Sequence, residues 1–343
     1  MSVLEIEELR THFDTDRGVV KAVDGVDLTI EPGEIVGIAG ESGSGKSVLA
    51  KSIMGLIDPP GEIRQGDIRL HGESLMAKSE KELREIRGKS VSIIFQNPMS
   101  TLNPTLTVGE QIAETIRFNS DGGESISLSA EMKRKILGSV KTSESWRRAI
   151  EMLESVRIPE PSSRVSNFPH QFSGGMRQRA LIAMALSCEP DLIIADEPTT
   201  ALDVTIEAQI LAELQSLREA FDTSILLITH DLAVISEMCD TVNIMYAGEI
   251  VEKAPADRLF QSPQHPYTQA LLSSMPSIDE PRADLEPISG SVPDLIDIQQ
   301  ACHFAPRCSE AKPECFEIDP EFRTVGDPTH TAACLRRGEE EKQ

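Results

Sequence analysis

Gly40-Glu41-Ser42-Gly43-Ser44-Gly45-Lys46-Ser47 supplies backbone amides, one cation and a terminal hydroxyl at the spacing that a nucleoside triphosphate requires. Just before it, the apolar run Ile35-Val36-Gly37-Ile38-Ala39 is bounded by Pro32-Gly33, and just after it Val48-Leu49-Ala50-Lys51-Ser52-Ile53-Met54 has helical character. These flanks predict a strand, a loop and a helix. The glycines let the loop turn its N–H groups inward around phosphate oxygens, and the helix N-terminus adds partial positive charge. Lys46 is placed to reach the β- and γ-phosphates and the Ser47 hydroxyl to ligate magnesium. Gly40, Ser42, Gly43, Ser44, Gly45, Lys46 and Ser47 are therefore the expected ATP contacts. A pattern this short also arises by chance, so further elements decide.

Leu192-Ile193-Ile194-Ala195-Asp196-Glu197 reads as an apolar strand ending in two acids. One carboxylate can hold a magnesium shell while the next polarises an attacking water; Asp196 takes the first role and Glu197 the second. Upstream, Phe172-Ser173-Gly174-Gly175-Met176-Arg177-Gln178 precedes a helical run from Arg179 to Leu186. Ser173 is the expected N-cap, and the two glycines leave the backbone bare for a second phosphate. Arg177 and Arg179 read as a solvated helix face. Downstream, Ser224-Ile225-Leu226-Leu227-Ile228-Thr229 predicts another buried strand, with His230 at its carboxyl end, where parallel sheets bind ligands. Gln96 closes the apolar strand Val91 to Phe95.

Together these residues resemble the nucleotide-binding subunit of ABC transporters. The matching pattern is Walker A at Gly40 to Ser47, a Q-loop at Gln96, the signature at Ser173 to Met176, Walker B ending at Asp196 with Glu197 beside it, a D-loop at Ala201-Leu202-Asp203 and the switch histidine His230. The resemblance implies an α/β P-loop NTPase with a RecA-like core, an antiparallel β subdomain and a helical subdomain over about residues 97–186. It also implies that Glu197 and His230 are catalytic and that Ser47, Gln96 and Asp196 hold Mg2+. The working unit is then a head-to-tail dimer, in which Ser173, Gly174, Gly175 and Met176 of one subunit face ATP on Lys46 of the other and Asp203 acts across the interface. Phe172 and Met176 replace the commoner Leu and Gln, a tolerated change because the phosphate contacts come from the serine and the glycine backbone. His12-Phe13 is the nearest candidate for an adenine-stacking aromatic, and the loop through Arg17-Gly18-Val19 departs from the usual pattern.

The 343 residues suit one large α/β domain over residues 1–270 and a smaller one over 271–343. No apolar run approaches the roughly 20 residues that span a bilayer, so a membrane channel must come from other chains. Met1-Ser2-Val3-Leu4-Glu5-Ile6-Glu7-Glu8 lacks the cationic start and apolar core of a secretion signal, which predicts a cytosolic chain at the cytoplasmic face of the membrane. Asp and Glu number 56 against 33 Lys and Arg, a net charge of −23 scattered along the sequence. That balance disfavours nucleic acid as a partner and suggests an acidic surface suited to high salt, as in halophiles. Alternation in Leu4 to Leu9 and Val26 to Ile30 predicts a partly antiparallel sheet, and the polar stretch Asn119 to Ser145 predicts a loose insertion.

Beyond Tyr267 the sequence turns Pro-rich, through Pro276 to Pro281 and Glu286 to Pro293, and four cysteines follow: Cys302, Cys308, Cys315 and Cys334. Cys188 and Cys239, in apolar helical contexts, read as packing residues. In a cytosolic chain the C-x5-C-x6-C-x18-C set favours metal binding over disulfides. Four thiolates suit Zn2+ or an iron–sulfur cluster; the lack of a C-x2-C pair weakens a zinc ribbon, and His303 and His330 are spare zinc ligands. His265-Pro266-Tyr267-Thr268, Gly290-Ser291-Val292-Pro293-Asp294-Leu295 and Cys302-His303-Phe304-Ala305-Pro306-Arg307-Cys308 resemble the C-terminal extension of dipeptide and oligopeptide importer ATPases. Members of that family carry a four-cysteine [4Fe-4S] cluster at matching positions, so the resemblance implies one here, with Zn2+ as the alternative. It further implies two membrane-spanning permease subunits, a second homologous ATPase subunit and an extracytoplasmic solute-binding protein, with peptides as cargo; nickel or oligosaccharide import and a non-transport ABC ATPase are the competing readings. The cysteines lie far in sequence from Lys46 and Glu197, which predicts a structural or docking role whose loss ATP binding largely survives.

Overall fold

Alternating apolar side chains at the start of the chain build a long hairpin. Strands β1 (Leu4–Thr15) and β2 (Gly18–Ile30) pair antiparallel from Leu4↔Ile30 to Thr15↔Gly18. Because side chains on a strand alternate faces, Leu4 and Ile6 on β1 and Val26, Leu28 and Ile30 on β2 turn inward, and a register shift between Ile6 and Leu9 brings Leu9 inward as well, each at most 2% exposed. Next come β3 (Ile35–Ala39), α1 (Lys46–Ile53), β4 (Gly61–Leu70) and β5 (Glu73–Ser74). One sheet has the order β2-β1-β4-β5, the antiparallel sheet expected from the alternation. The computed structural model describes residues 2–96, 101–120, 143–199, 203–274, 288–296 and 298–337. Its chain divides into two units, Met1–Met76 with Leu226–Gln343, and Ala77–Ile225.

The unit Ala77–Ile225 holds α2 (Glu80–Ile86), β6 (Val91–Ile94), α3 (Val108–Ser120), α4 (Glu144–Ser155), α5 (Pro161–Arg164), α6 (Gly174–Leu186), β7 (Leu192–Asp196) and α7 (Val204–Phe221). Described residues from 101 to 186 carry helices and no strand. Most of the expected loose insertion, residues 121–142, and Pro276 to Pro281 of the Pro-rich connection lie outside the described residues. The unit boundary falls within β8 (Ser224–Ile228), after which come α8 (Leu232–Met238), β9 (Thr241–Tyr246), β10 (Glu249–Pro255), α9 (Ala256–Gln261), α10 (Pro266–Ser273), β11 (Arg323–Val325) and β12 (Asp327–Ala332). Strand β3 is buried at every residue and pairs parallel with β9, Val36 opposite Thr241, as expected of a run covered on both faces.

The cysteine-bearing segment forms no unit of its own. Strand β12 pairs antiparallel with β10, Glu252 opposite Ala332, and so adds the extension to the sheet that contains β3. Lys21 N–H also donates to Leu295 O at 3.1 Å. Sequence distance hid this arrangement, because pairing partners some 80 residues apart leave no local trace.

Candidate nucleotide and cysteine sites

The loop after β3 has a shape that only glycine permits at two points. At Gly45, the N-cap of α1, φ is +105° and a Cβ would stand 2.1 Å from Ala22 O. At Gly40 a Cβ would stand 2.1 Å from Met245 O. Lys46 is buried, and its Nζ donates to Gly40 O at 2.7 Å, Glu41 O at 2.9 Å and Ser44 Oγ at 3.2 Å. The ammonium thus sits within its own loop while Ser42, Gly43 and Ser47 face outward. A cation at a helix N-terminus framed by backbone N–H groups is an anion site. In the same unit His230 is exposed just past β8, next to Asp231, whose carboxylate caps α8 by accepting from Ala233 N at 2.8 Å.

In the other unit β6 and β7 run parallel, Val91 opposite Leu192 and Ile94 opposite Ala195. Their carboxyl ends bring two expected site residues together: Gln96 Nε2 donates to Glu197 Oε2 at 2.6 Å. Asp196 is 7% exposed at the end of β7, and Glu197 takes φ +48°, a left-handed conformation that costs a non-glycine residue of order 1 kcal/mol. Ser173 caps α6 as expected, its Oγ accepting from Met176 N at 3.3 Å. Ser173 and Gly174 are exposed, Gly175 and Met176 half-buried. Asp203 is exposed at the N-cap of α7, and Ala201-Leu202 lies outside the described residues.

One expectation for α6 fails. Arg177 Nε donates to Pro169 O at 2.8 Å, and Arg179, its side chain 13% exposed, donates to Val156 O at 2.9 Å and pairs with the Glu213 carboxylate. Both faces of α6 are covered, by α4 and by α7, so these arginines are structural anchors rather than a solvated face. Burial raises Glu213 from its ordinary value, opposed by Arg179.

Cys302, Cys308, Cys315 and Cys334 line a single small cavity beside Phe304 and His265. All are free thiols. Arg336 N–H approaches Cys334 Sγ at 3.4 Å, the N–H groups of Phe304 and Ala305 bond to Cys302, and that of Glu310 bonds to Cys308. Burial nevertheless pushes the Cys302 thiol up to about 12, with Cys334 and Cys315 adding to the shift, and burial also raises Cys308 and Cys334. Thiolates here call for compensating positive charge, and amide donors to sulfur are a feature of iron–sulfur ligation. Among the described residues, however, no group of three or more His, Cys, Asp or Glu side chains closes on one ion position. The proposed spare zinc ligands point elsewhere: His303 Nδ1 faces Glu249 at 3.3 Å and His330 Nε2 faces Glu252 at 2.7 Å. Cys239 packs beneath Gly37, and Cys188, half-buried, donates to Thr115 O at 3.8 Å.

The cysteine segment and the Lys46 loop, far apart in sequence, are linked directly in the fold. Arg307, between Cys302 and Cys308, grips Glu41 of the loop with Nη1 to Oε2 at 2.6 Å and Nη2 to Oε1 at 3.1 Å. Tyr267 Oη accepts from Glu41 N–H at 2.9 Å. Tyr267 and Arg307 stand out in the sequence only as part of the family resemblance, because a contact across 266 positions has no local signal.

Among known proteins, the ABC transporter family model matches residues 23–200, and the model for the oligopeptide/dipeptide transporter C-terminal region matches residues 251–315. The chain is 46% identical over 324 residues to the oligopeptide transport ATP-binding protein AppD of Bacillus subtilis (strain 168), covering 94% of this chain and 93% of AppD. It is 43% identical over 327 residues to the dipeptide transport ATP-binding protein DppD of Escherichia coli (strain K12), covering 95% and 94%. The solved dimeric ATP-binding cassette MJ0796 bound to ADP and Pi is similar at TM-score 0.61 and 27% identity, over 74% of this chain and 98% of that one.

Proposed function

The chain belongs to the ABC transporter ATP-binding proteins, and on that premise we propose that its ATP hydrolysis powers import of di- or oligopeptides. The observation that carries the ATP reading is the glycine-shaped loop with the buried Lys46 cation. The peptide reading is supported by the match over residues 251–315 and by relatives along nearly the whole chain that are oligopeptide and dipeptide transport ATP-binding proteins. A division into a cassette over 1–270 and an extension over 271–343 is part of this reading; the cassette match over residues 23–200 falls within the first part, and the C-terminal-region match over 251–315 runs across the boundary.

Each residue then has a task. The loop amides and Lys46 hold the phosphates. The hydroxyl of Ser47, the amide oxygen of Gln96 and the carboxylate of Asp196 are hard oxygen donors that would hold Mg2+. When bound, that ion neutralises charge on the phosphates. Glu197 polarises the attacking water, and its bond from Gln96 supports a fixed aim for the carboxylate. His230 senses the γ-phosphate. Ser173, Gly174, Gly175 and Met176 serve the ATP of a second, homologous subunit in a head-to-tail dimer, with Asp203 at that interface; the exposure of Ser173 and Gly174 and the dimer of the MJ0796 cassette support this.

Among the described residues no helix is long and apolar enough to cross a membrane. The transport relatives support a path supplied by two permease subunits, with this chain working from the cytoplasmic face. An extracytoplasmic solute-binding protein delivers the cargo. The four thiols on one cavity support a [4Fe-4S] cluster over Zn2+, since a cluster spreads its thiolates over several metal atoms whereas one ion must gather them. When bound, the group would cross-link four points of the extension.

Glu197→Gln tests the hydrolytic assignment. In the assembled transporter this variant is expected to bind ATP yet lose most hydrolysis and peptide uptake; turnover near the parental rate overturns the role given to Glu197.

A further inference from the structure

Glu41 is an acid inside a loop that must receive a polyanion, and the fold fixes each of its polar groups. Its N–H donates to Tyr267 Oη, its carbonyl accepts from Lys46 Nζ at 2.9 Å and Ser44 N at 3.2 Å, and its carboxylate takes both terminal nitrogens of Arg307. Arg307 is itself immobilised. Its side chain is 5% exposed, its Nε donates to Ser289 O at 2.9 Å, and its Nη1 donates to Tyr246 Oη at 3.3 Å. The guanidinium lies over Tyr246 and Phe304, 5.8 and 6.0 Å from the ring centroids. A planar fork held this way specifies both the charge and the position of its carboxylate.

The other end of this arrangement is the cysteine cavity. Phe304 lines that cavity and packs edge-on against Tyr246, centroids 5.3 Å apart. Arg307 directly precedes Cys308 in the turn Ala305–Arg307. Tyr267 meets Tyr246 at 4.5 Å and Phe304 at 5.3 Å, so the two groups that hold Glu41, a phenol and a guanidinium, share one aromatic cluster.

The geometry points to Arg307 as a positioning residue for ATP binding: through Glu41 it neutralises and shapes the phosphate loop, and it makes nucleotide affinity depend on the fold of the Cys302–Cys308 segment. This rests on the reading of the Lys46 loop as the ATP site. Losing Arg307 has two consequences, a freed loop and a bare carboxylate facing phosphates; losing the Glu41 charge has only the first. Neutralising Glu41 therefore repairs part of the damage done at Arg307, whereas a merely structural role for Arg307 makes the second substitution neutral or harmful.

The test is titration of a fluorescent ATP analogue with Mg2+ into the anaerobically purified full chain. Arg307→Gln is expected to weaken binding about tenfold, the size of one charge-assisted contact, Glu41→Gln about threefold, and the pair together less than Arg307→Gln alone. Arg307→Lys, which keeps the charge without the fork, is expected to fall between parent and Arg307→Gln. Cys308→Ser is expected to weaken binding in the parent and to add nothing in the doubly substituted chain. Should Arg307→Gln not fold, Glu41→Gln decides by itself, since its side chain is 28% exposed: parental affinity there overturns the inference. So does a double variant weaker than Arg307→Gln. Lys46→Ala separates the two readings. If it binds like the parent, the ATP site itself is misassigned; if it loses binding while Arg307→Gln keeps it, only the positioning role falls.

Discussion

Arg179→Met removes the guanidinium that faces Glu213, and the structure sets the size of the effect. Glu213 has a side chain 4% exposed, and its Oε2 is buried with no hydrogen-bond partner among the described residues. The remaining cation, Arg157, is 75% exposed and 3.8 Å away, too solvated to compensate. Breaking a buried pair from one side costs about 3–5 kcal/mol. Glu213 has an escape, which is to take a proton. From the ordinary value of 4.5 to pH 7.5 that costs three pH units at about 1.36 kcal/mol each, or about 4 kcal/mol, so the loss is capped near that figure. At pH 5.0 the cap drops below about 1 kcal/mol. The sign follows from linkage: burial raises this carboxylate in the folded state, so the stability of the variant is fully present below 4.5 and is lost as pH rises through the folded value. Melting temperatures of variant and parent, followed by circular dichroism, should therefore differ by roughly 10 °C at pH 7.5 and by a few degrees at most at pH 5.0. Adding Glu213→Leu to Arg179→Met should recover most of the loss at pH 7.5. An equal deficit at both pH values, or a double variant no better than the single, refutes the reasoning.

Two further outcomes concern the whole chain. With a net charge of −23, the melting temperature is expected to rise in molar potassium chloride as screening relieves repulsion; a flat or falling curve removes the proposed adaptation to high salt. Protein purified without oxygen from iron-replete cells is expected to be brown, with on the order of four irons per chain, and a serine at Cys302, Cys308, Cys315 or Cys334 should bleach it; stoichiometric zinc without iron or sulfide hands the cavity to Zn2+.

Local chemistry explains what could be read without a structure. The shape of the loop from Gly40 to Ser47 was legible because its residues are consecutive, and each is fixed by a short-range demand: Gly45 by its positive φ, Lys46 by the carbonyls of its own loop. Ser173 was legible as a cap for the same reason, its partner being three residues on. The Gln96–Glu197 bond spans 101 positions, and only the parallel pairing of two apolar strands could have foretold it. Arg179 misled because a charged residue among polar ones reads as solvent-facing; the sequence does not announce that α7 carries an acid to meet it.

The cysteines show the same limit from the other side. Their spacing raised the expectation of a bound metal or cluster but carried no sign of the neighbours, and distance along the chain was read as distance from the nucleotide. The folded chain reverses that reading through strand pairing. Once β12 lies beside β10, and β10 beside β9, the extension is tied to the strand that ends at Tyr246. Arg307 reaches that residue and, with its two terminal nitrogens, Glu41 in the Lys46 loop. An extension attached by β-pairing at one end and by a half-buried bidentate ion pair at the other has little freedom to drift as a tethered module. Changes in its packing therefore reach Glu41 directly, which is why affinity for nucleotide, rather than docking alone, is the property to measure when the cysteines are altered.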